Sequence, residues 1–397
     1  MNYKYAIIFA LIILSISLTG CFLFPPINNT AEWTVMVYLD SDNNLESAGI
    51  DDINEMEIVG SSADVNIVIQ VDRIPDYDTS NSNWTTTRRY YITQDNDPYI
   101  INSQLISDLG ELNMGNPQTL IDFASWAVSN YPAKKYLLVI WNHGGGFRSP
   151  AYTTKDIAWD DTDGEDKITM PELEYALSAI SVQIGENIDI VGMDACYMAM
   201  AEVAYQVKDY ADILVTSEES EPNDGWPYDI ILNQLVSYPT VTSNQLAANI
   251  VDSYIFSYTV SDEVTQSAID LSYTDTLADQ LSNMALAIMN DTLTPANNYI
   301  NAANSSQYYG DWDFIDLYDF CNNILIYSNS VFVKNIALSI QQTLSSAVLH
   351  SGYYGYGVDK SRGLSIYFPY TEYDSYYNNT NFAQDTFWDE MLSYLGL

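Results

Sequence analysis

Ile188-Asp189-Ile190-Val191-Gly192-Met193-Asp194-Ala195-Cys196-Tyr197-Met198 is the stretch on which the reading of this chain turns. Its first half is a short apolar run with β-branched residues, the pattern of a buried central strand. It stops at Asp-Ala-Cys and resumes as Met198-Ala199-Met200-Ala201-Glu202-Val203-Ala204, good helix-forming sequence. A cysteine at the carboxyl end of a buried strand stands where open α/β sheets place their active sites. A helix starting just beyond it would lower the thiol pKa and offer N–H groups to an anion. The plainer reading is a core cysteine, since free cysteine is among the most buried residue types.

A second stretch favours chemistry. Lys135-Tyr136-Leu137-Leu138-Val139-Ile140-Trp141-Asn142-His143-Gly144-Gly145-Gly146 is another apolar strand, ending in a histidine and three glycines. The chain has only two histidines, His143 and His350. Glycines permit close backbone approach and positive φ, which suits a loop presenting N–H groups to an oxyanion. A cysteine and a histidine at adjacent strand ends form a nucleophile and its base. Cys196 is therefore the expected nucleophile and His143 the base that later protonates the leaving amine. The N–H groups of Gly144 and Cys196 are the expected oxyanion donors. Asn142 shapes the loop or orients the histidine.

Three segments carry a family resemblance: Asn142-His143-Gly144-Gly145-Gly146, Asp194-Ala195-Cys196-Tyr197-Met198, and Ser217-Glu218-Glu219-Ser220-Glu221-Pro222-Asn223-Asp224-Gly225-Trp226-Pro227-Tyr228. Together they resemble the clostripain family of cysteine peptidases, similar in fold to caspases, gingipains and legumain. The order histidine then cysteine, roughly fifty residues apart, matches the caspase-type spacing. The resemblance runs from about Trp33 to the C-terminus and is densest from Lys135 to Tyr228. It implies a caspase-like three-layer α/β/α sandwich with a mainly parallel central sheet and a helical C-terminal addition. It implies a Cys–His dyad rather than a strict triad.

Asp194 stands two residues before Cys196, so strand alternation points it to the same face. By itself it reads equally as a helix N-cap. The resemblance implies that the matching acid lies at the base of the S1 pocket and binds a basic P1 side chain. Arginine favours such carboxylate partners. Asp224 is the second acid expected there, with Glu218, Glu219 and Glu221 as competitors. Trp226 is read as an apolar wall for substrate or as core.

Residues 1–21 stand apart from the fold. Lys4 precedes the apolar run Ala6–Leu18, too short to span a bilayer comfortably. Leu18-Thr19-Gly20-Cys21 is similar to a lipoprotein signal-peptidase box, with Cys21 as lipidated mature N-terminus. An uncleaved anchor helix is the alternative. Residues 22–32 then form a tether, 33–271 a caspase-like core, and 272–397 a mostly helical region with one late strand. Either N-terminal reading places the body outside the cytoplasm, held at a membrane. Removing Cys21 leaves Cys196 and Cys321, so no disulfide scaffold is expected. Cys321 fits an apolar helical pattern and reads as core.

The chain has 53 acidic residues against 13 basic ones. That balance repels nucleic acid and attracts cationic ligands. Alternating strands and helices imply a parallel-dominated sheet covered on both faces. Expected strands include Trp33–Leu39, Val65–Val71, Arg88–Thr93, Asp212–Ser217 and Ser267–Leu271. Asp40-Ser41-Asp42-Asn43-Asn44 is expected to cap a helix reaching Val59. Helices are expected over Thr274–Met289, Phe314–Ile326 and Val331–His350, with His350 at a helix end before Gly352.

Asp160-Asp161-Thr162-Asp163-Gly164-Glu165-Asp166-Lys167-Ile168 has calcium-loop character, with Glu172 at the twelfth position from Asp161. Its glycine is misplaced for an EF-hand. No metal ligand set is assigned and no cofactor is required, although the resemblance implies a calcium need in some members. It also implies that some members cut themselves between the histidine and cysteine strands. Arg148, Lys155 and Lys167 are the basic residues of that connection, and Lys155 is the first choice.

The resulting expectation is a membrane-anchored, extracytoplasmic cysteine endopeptidase acting on protein or peptide substrates after Arg or Lys. The alternatives are the same chemistry with Asn or another residue at P1, and a non-catalytic surface binding protein on the same fold.

Overall fold

A computed structural model describes residues 30–147, 157–370 and 372–397. Lys155, Arg148 and Cys21 lie outside the described residues. Nine strands form the main sheet, in the order Val348–Tyr354, Val264–Asp270, Ala211–Thr216, Ile188–Asp194, Ala133–Trp141, Ala31–Ser41, Val65–Arg73, Arg88–Tyr91 and Gln104–Asp108. The five central strands are parallel. Two antiparallel strands close each edge. The expected parallel-dominated sheet is thus present, and Arg88–Tyr91 runs antiparallel to its neighbour.

Alternation along the central strands supplies two cores. Met36, Tyr38, Leu138, Ile140 and Val191 point to one face, where helices Pro117–Asn130, Met170–Ile184, Thr274–Met289 and Val331–Ala347 bury their apolar sides. Val35, Val37, Leu39, Leu137 and Val139 point to the other, covered by Glu46–Val59, Tyr228–Ser237 and Ser243–Ser257. Both sides of each strand are therefore buried, which explains the near-continuous apolar runs. The result is the expected three-layer α/β/α sandwich.

Asn116 caps the helix that begins at Pro117, its side chain accepting from the Gln118 N–H at 2.9 Å. The expected cap at Asp40–Asn44 differs in kind. The helix begins at Glu46, and no side chain caps its Leu45 N-cap position. Asn43 instead accepts from the Leu45 N–H at 2.8 Å and turns the chain before the helix.

Two more expectations are corrected after residue 313. Phe314–Asp316 is a short strand, and its helix runs Leu317–Tyr327. The helix from Val331 ends at Ala347, and Val348–Tyr354 continues as the sheet's edge strand. His350 therefore lies in a strand, with Nε2 2.7 Å from Asp252 Oδ1, and not at a helix end. Cys321 is fully buried in its helix, as expected. No helix among the described residues is long and apolar enough to cross a membrane.

Parallel strands bring their carboxyl ends to one rim. The segments after Ser41, Trp141, Asp194 and Thr216 gather there, and ligand sites in open α/β sheets form on that rim.

Candidate active site

The sheet register brings the two expected residues together. Trp141 pairs with Asp194 on adjacent parallel strands. His143 and Cys196 each follow a paired residue by two positions. They line one narrow cleft of about 40 Å³, together with Leu45, Asp194, Glu221 and Asn223. Gly144 is needed for this approach. A Cβ there would sit 2.9 Å from the Cys196 nitrogen, nearer than side chains tolerate. The Gly144 N–H has no acceptor among the described residues. Gly146 has φ of 70°, the left-handed region that favours glycine.

The histidine is held by the first strand's exit. Its Nε2 lies 2.8 Å from Asn44 Oδ1. Asn142 shapes the loop: its amide donates to the Asp40 carbonyl at 2.9 Å and the Trp159 carbonyl at 3.0 Å. Its own oxygen accepts from the His143 N–H. Sequence reasoning missed Asn44, because the Asp40–Asn44 run looked like helix capping.

The cysteine does not sit at a helix N-terminus. The next helix is Ala201–Val207. Tyr197, with φ of 60°, turns the chain between strand and helix. This loop is stitched to the next one: Tyr197 N–H donates to the Glu219 carbonyl at 3.2 Å, and Ala199 N–H to the Ser217 carbonyl at 2.8 Å. Met200 then bridges to Ser365. These tertiary bonds override the helical propensity of Met198–Met200. The thiol pKa is accordingly raised, not lowered. Burial pushes it up, opposed by the Glu221 N–H and reinforced by Glu219 and Asp194. That N–H donates to Sγ at 3.2 Å.

Asp194 is buried beneath the same loop. Its Oδ2 accepts from the Tyr228 hydroxyl at 2.9 Å and the Trp226 N–H at 3.3 Å. Burial pushes its carboxyl up to about 6, against hydrogen bonds from Glu221, Tyr228 and Trp226. Glu221 is pushed well above the usual range by burial and by Asp194. Burial pushes both carboxyls toward the protonated form, and for Glu221 the proximity of Asp194 adds to it.

Asp224 occupies a different position from Asp194. It borders a cavity of about 450 Å³ with Asp51, Asp52 and Glu55, beside the cleft and sharing its walls Leu45 and Asn223. Asp52 accepts from the Trp141 indole at 2.6 Å. Glu55 is pushed up to about 7, first by burial and then by Asp229. The cavity had no sequence signal, since its acids come from a helix and a distant loop.

Trp226 is not a cleft wall. It is 1% exposed, and its ring packs against Gly192, where a Cβ would lie 2.7 Å away. The structure takes the core reading of this residue. Glu172 is likewise no twelfth-position ligand. Its carboxylate accepts from the Thr169 N–H at 3.0 Å and hydroxyl at 2.7 Å, a capping box for Met170–Ile184. Glu218 reaches away from the cleft to the Gly363 N–H at 2.8 Å.

Known proteins resemble this chain in sequence and in fold. The model of the clostripain family, peptidase family C11, matches residues 37–395. Clostripain from Hathewaya histolytica is 27% identical over 419 residues, covering 89% of this chain and 78% of that protein. A secreted C11 cysteine protease from Bacteroides thetaiotaomicron, solved with an irreversible peptide inhibitor, superposes with a TM-score of 0.67 at 21% identity, over 91% of this chain and 100% of that one. An inactive zymogen C11 protease from Parabacteroides distasonis gives 0.69 at 20% identity, over 91% and 99%. These structural likenesses carry the fold, and the family model carries the membership. The chain belongs to the clostripain family of cysteine peptidases.

Proposed function

We propose that this peptidase is an endopeptidase cleaving after Arg or Lys, with Cys196 as nucleophile and His143 as general base. The observation that carries the reading is the shared cleft of His143 and Cys196, walled by acids. When His143 donates Nε2–H to Asn44, Nδ1 keeps the lone pair that can accept the thiol proton. The thiolate sulfur then attacks the scissile carbonyl carbon. Gly144 and Cys196 N–H groups stabilise the resulting oxyanion. His143 returns the proton to the leaving amine, and water hydrolyses the thioester with His143 again as base.

Asp194, with Asp224 on the neighbouring cavity, supports a basic P1 side chain. In the conformation described, Glu221 lies against both Cys196 and Asp194. Substrate must displace it, and a guanidinium offers Asp194 a partner that Glu221 is not. The region 33–271 is the catalytic body and 272–397 its addition. Cys21 is the lipid-bearing residue that holds the enzyme outside the cytoplasm at a membrane. Lys155 is the site of self-cleavage.

A fluorogenic peptide library scanned at P1, with wild type and Cys196→Ala, tests the reading. Turnover confined to Arg and Lys and lost in the variant is expected. Preference for Asn, or activity surviving in Cys196→Ala, would overturn it.

A further inference from the structure

The cleft that holds Cys196 is shut, and one residue shuts it. Its volume of about 40 Å³ leaves room for a few waters. Pockets that take a small organic ligand measure about 300 Å³ or more. An arginine or lysine side chain does not enter until something moves. The backbone of Glu221 covers the thiol: its N–H donates to Sγ at 3.2 Å, and its carbonyl oxygen lies 3.8 Å from the sulfur. The side chain of the same residue covers the acid beneath, its carboxyl hydrogen-bonded to that of Asp194.

A carboxyl bonds to a carboxylate only by donating a proton. Glu221 is the donor. Burial and then Asp194 hold its proton on well above the usual carboxylate range, whereas Asp194 is raised to about 6. Glu221 Oε1 accepts from the Gln266 amide at 3.2 Å, and Oε2 is buried with no donor to it. An oxygen left in that way is the one that carries the proton. Cys196, Tyr228, Tyr254 and Tyr258 are the other titratable groups around this carboxyl, with His143 lining the same cleft. Asp52 adds its charge on the Asp194 side. No lysine or arginine among the described residues pairs with Glu221 or Asp194. At rest, a proton donor stands on Asp194 where a cation would.

The segment is held firmly at its ends and lightly between them. The Glu218 and Glu219 N–H groups both donate to Thr265 Oγ1 at 3.0 Å. At the other end the Gly225 carbonyl accepts from the Tyr258 hydroxyl at 2.7 Å. Between them Ser220, Asn223 and Asp224 are exposed, and no strand or helix forms. Glu221 itself reaches the rest of the fold through Cys196, Asp194 and Gln266.

We propose that Glu221 is a latch opened by substrate: a guanidinium or ammonium group takes its place on Asp194, and its backbone then withdraws from the Cys196 sulfur. The proposal rests on the reading that Asp194 receives a basic P1 side chain. The displaced carboxyl reaches solvent and gives its proton to water, while the Asp194 carboxylate pairs with the cation. Withdrawal costs the thiolate one N–H contact, but it relieves the burial that is the larger influence on the thiol. A nearby cation favours the thiolate further. A basic side chain is then needed for reactivity as well as for binding.

The full chain carrying Cys321→Ala is treated with iodoacetamide at pH 7, and alkylation is read on the Cys196 peptide by mass spectrometry. Saturating propylguanidinium should speed alkylation about tenfold, as a tenfold larger thiolate fraction would. Propylurea, of like shape and uncharged, should not. Glu221→Ala should react fast from the start and gain little from the cation. Glu221→Gln, whose amide can donate to Asp194 as the protonated acid does, should start slow and still respond. If Glu221→Ala lacks a cooperative melt, Glu221→Gln and the wild-type response decide the matter. The latch falls if propylguanidinium slows wild-type alkylation or leaves it unchanged, as a ligand merely filling the cleft would. It falls equally if a folded Glu221→Ala reacts no faster than wild type, or if Glu221→Gln starts as fast as Glu221→Ala. An Arg and Lys preference in the P1 scan with no cation effect on alkylation removes the latch alone. A preference for Asn removes both readings.

Discussion

The backbone N–H of Glu221 donates to the sulfur of Cys196 at 3.2 Å, while the side chain of the same residue faces Asp194. One residue thus closes over the thiol and over the acid beneath it. The conformation is a resting one, with the thiol pKa raised by burial and by nearby acids.

A resting thiol is a slow nucleophile toward small reagents. Alkylation of Cys196 by iodoacetamide, followed in a Cys321→Ala background, should be slower at pH 7 than alkylation of an ordinary free thiol. Its rate should climb through alkaline pH, because only the thiolate reacts. Fast, pH-independent alkylation between pH 5 and 7 would indicate a preformed thiolate–imidazolium pair and contradict this resting state.

Asn44 is expected to act as a positioning residue for His143. Asn44→Ala should lower kcat about tenfold to a hundredfold with little change in KM, because a misplaced base costs rate and not ground-state binding. Asn44→Asp should recover much of the loss and move the rate profile to higher pH, since a carboxylate favours the charged imidazolium. A variant pair with unchanged kcat would show that the 2.8 Å contact does not orient the ring.

Asp194→Asn separates specificity from structure. On Arg substrates the rate should fall on the order of a hundredfold, because a desolvated guanidinium loses its carboxylate. On uncharged substrates the fall should be small, since an asparagine oxygen can still accept from Tyr228 and Trp226. Equal losses on both would make Asp194 a structural residue.

The parts of the fold legible in the sequence are those fixed by local pattern. Trp33–Leu39, Lys135–Trp141 and Ile188–Met193 read as strands because both their faces are buried. The helix Pro117–Asn130 is fixed just as locally, since its Asn116 cap and its proline act within one turn. What escaped was decided at long range. Val348-Leu349-His350 continues a helical spacing, but pairing with Val264–Asp270 pulls it into a strand. Met198–Ala204 has helical propensity, but Ser365 and Ser217 claim its first residues. His143 and Cys196 were legible because strand ends in a parallel sheet share a rim. The contact of Asn44 with His143 was not, because it depends on which strands are neighbours.

Self-cleavage at Lys155 should yield two fragments that stay together, because strands on both sides of the cut belong to one sheet. A denaturing gel should show them for active protein and not for Cys196→Ala, and Lys155→Gln should abolish or relocate the cut. Lys167 is a poor second choice: it is 5% exposed, with its ammonium over the Trp159 ring at 4.5 Å. A fully active enzyme that remains one intact chain would refute the proposal.

Buried acids should make the fold more stable in mild acid than at alkaline pH. Glu202 is the clearest case. It is 1% exposed, and its Oε1 accepts from the Tyr367 N–H and the Tyr377 hydroxyl, both at 3.0 Å. Its Oε2 is buried without a partner. Burial pushes its pKa from 4.5 up to about 7, against those hydrogen bonds. A folded pKa above the unfolded one means that the folded state holds the proton more tightly. The stabilisation is therefore complete below pH 4.5 and is lost as pH rises through 7. It amounts to on the order of 3 kcal/mol for this group. Asp194, raised to about 6, and Asp316, raised to about 7, act in the same direction. Melting temperature should accordingly fall between pH 5 and pH 8. Glu202→Gln keeps an oxygen for Tyr367 and Tyr377 and cannot ionise. It should melt above wild type at pH 8, and its fall across the range should be shallower. Parallel curves for the two proteins would mean that Glu202 stays charged in the fold.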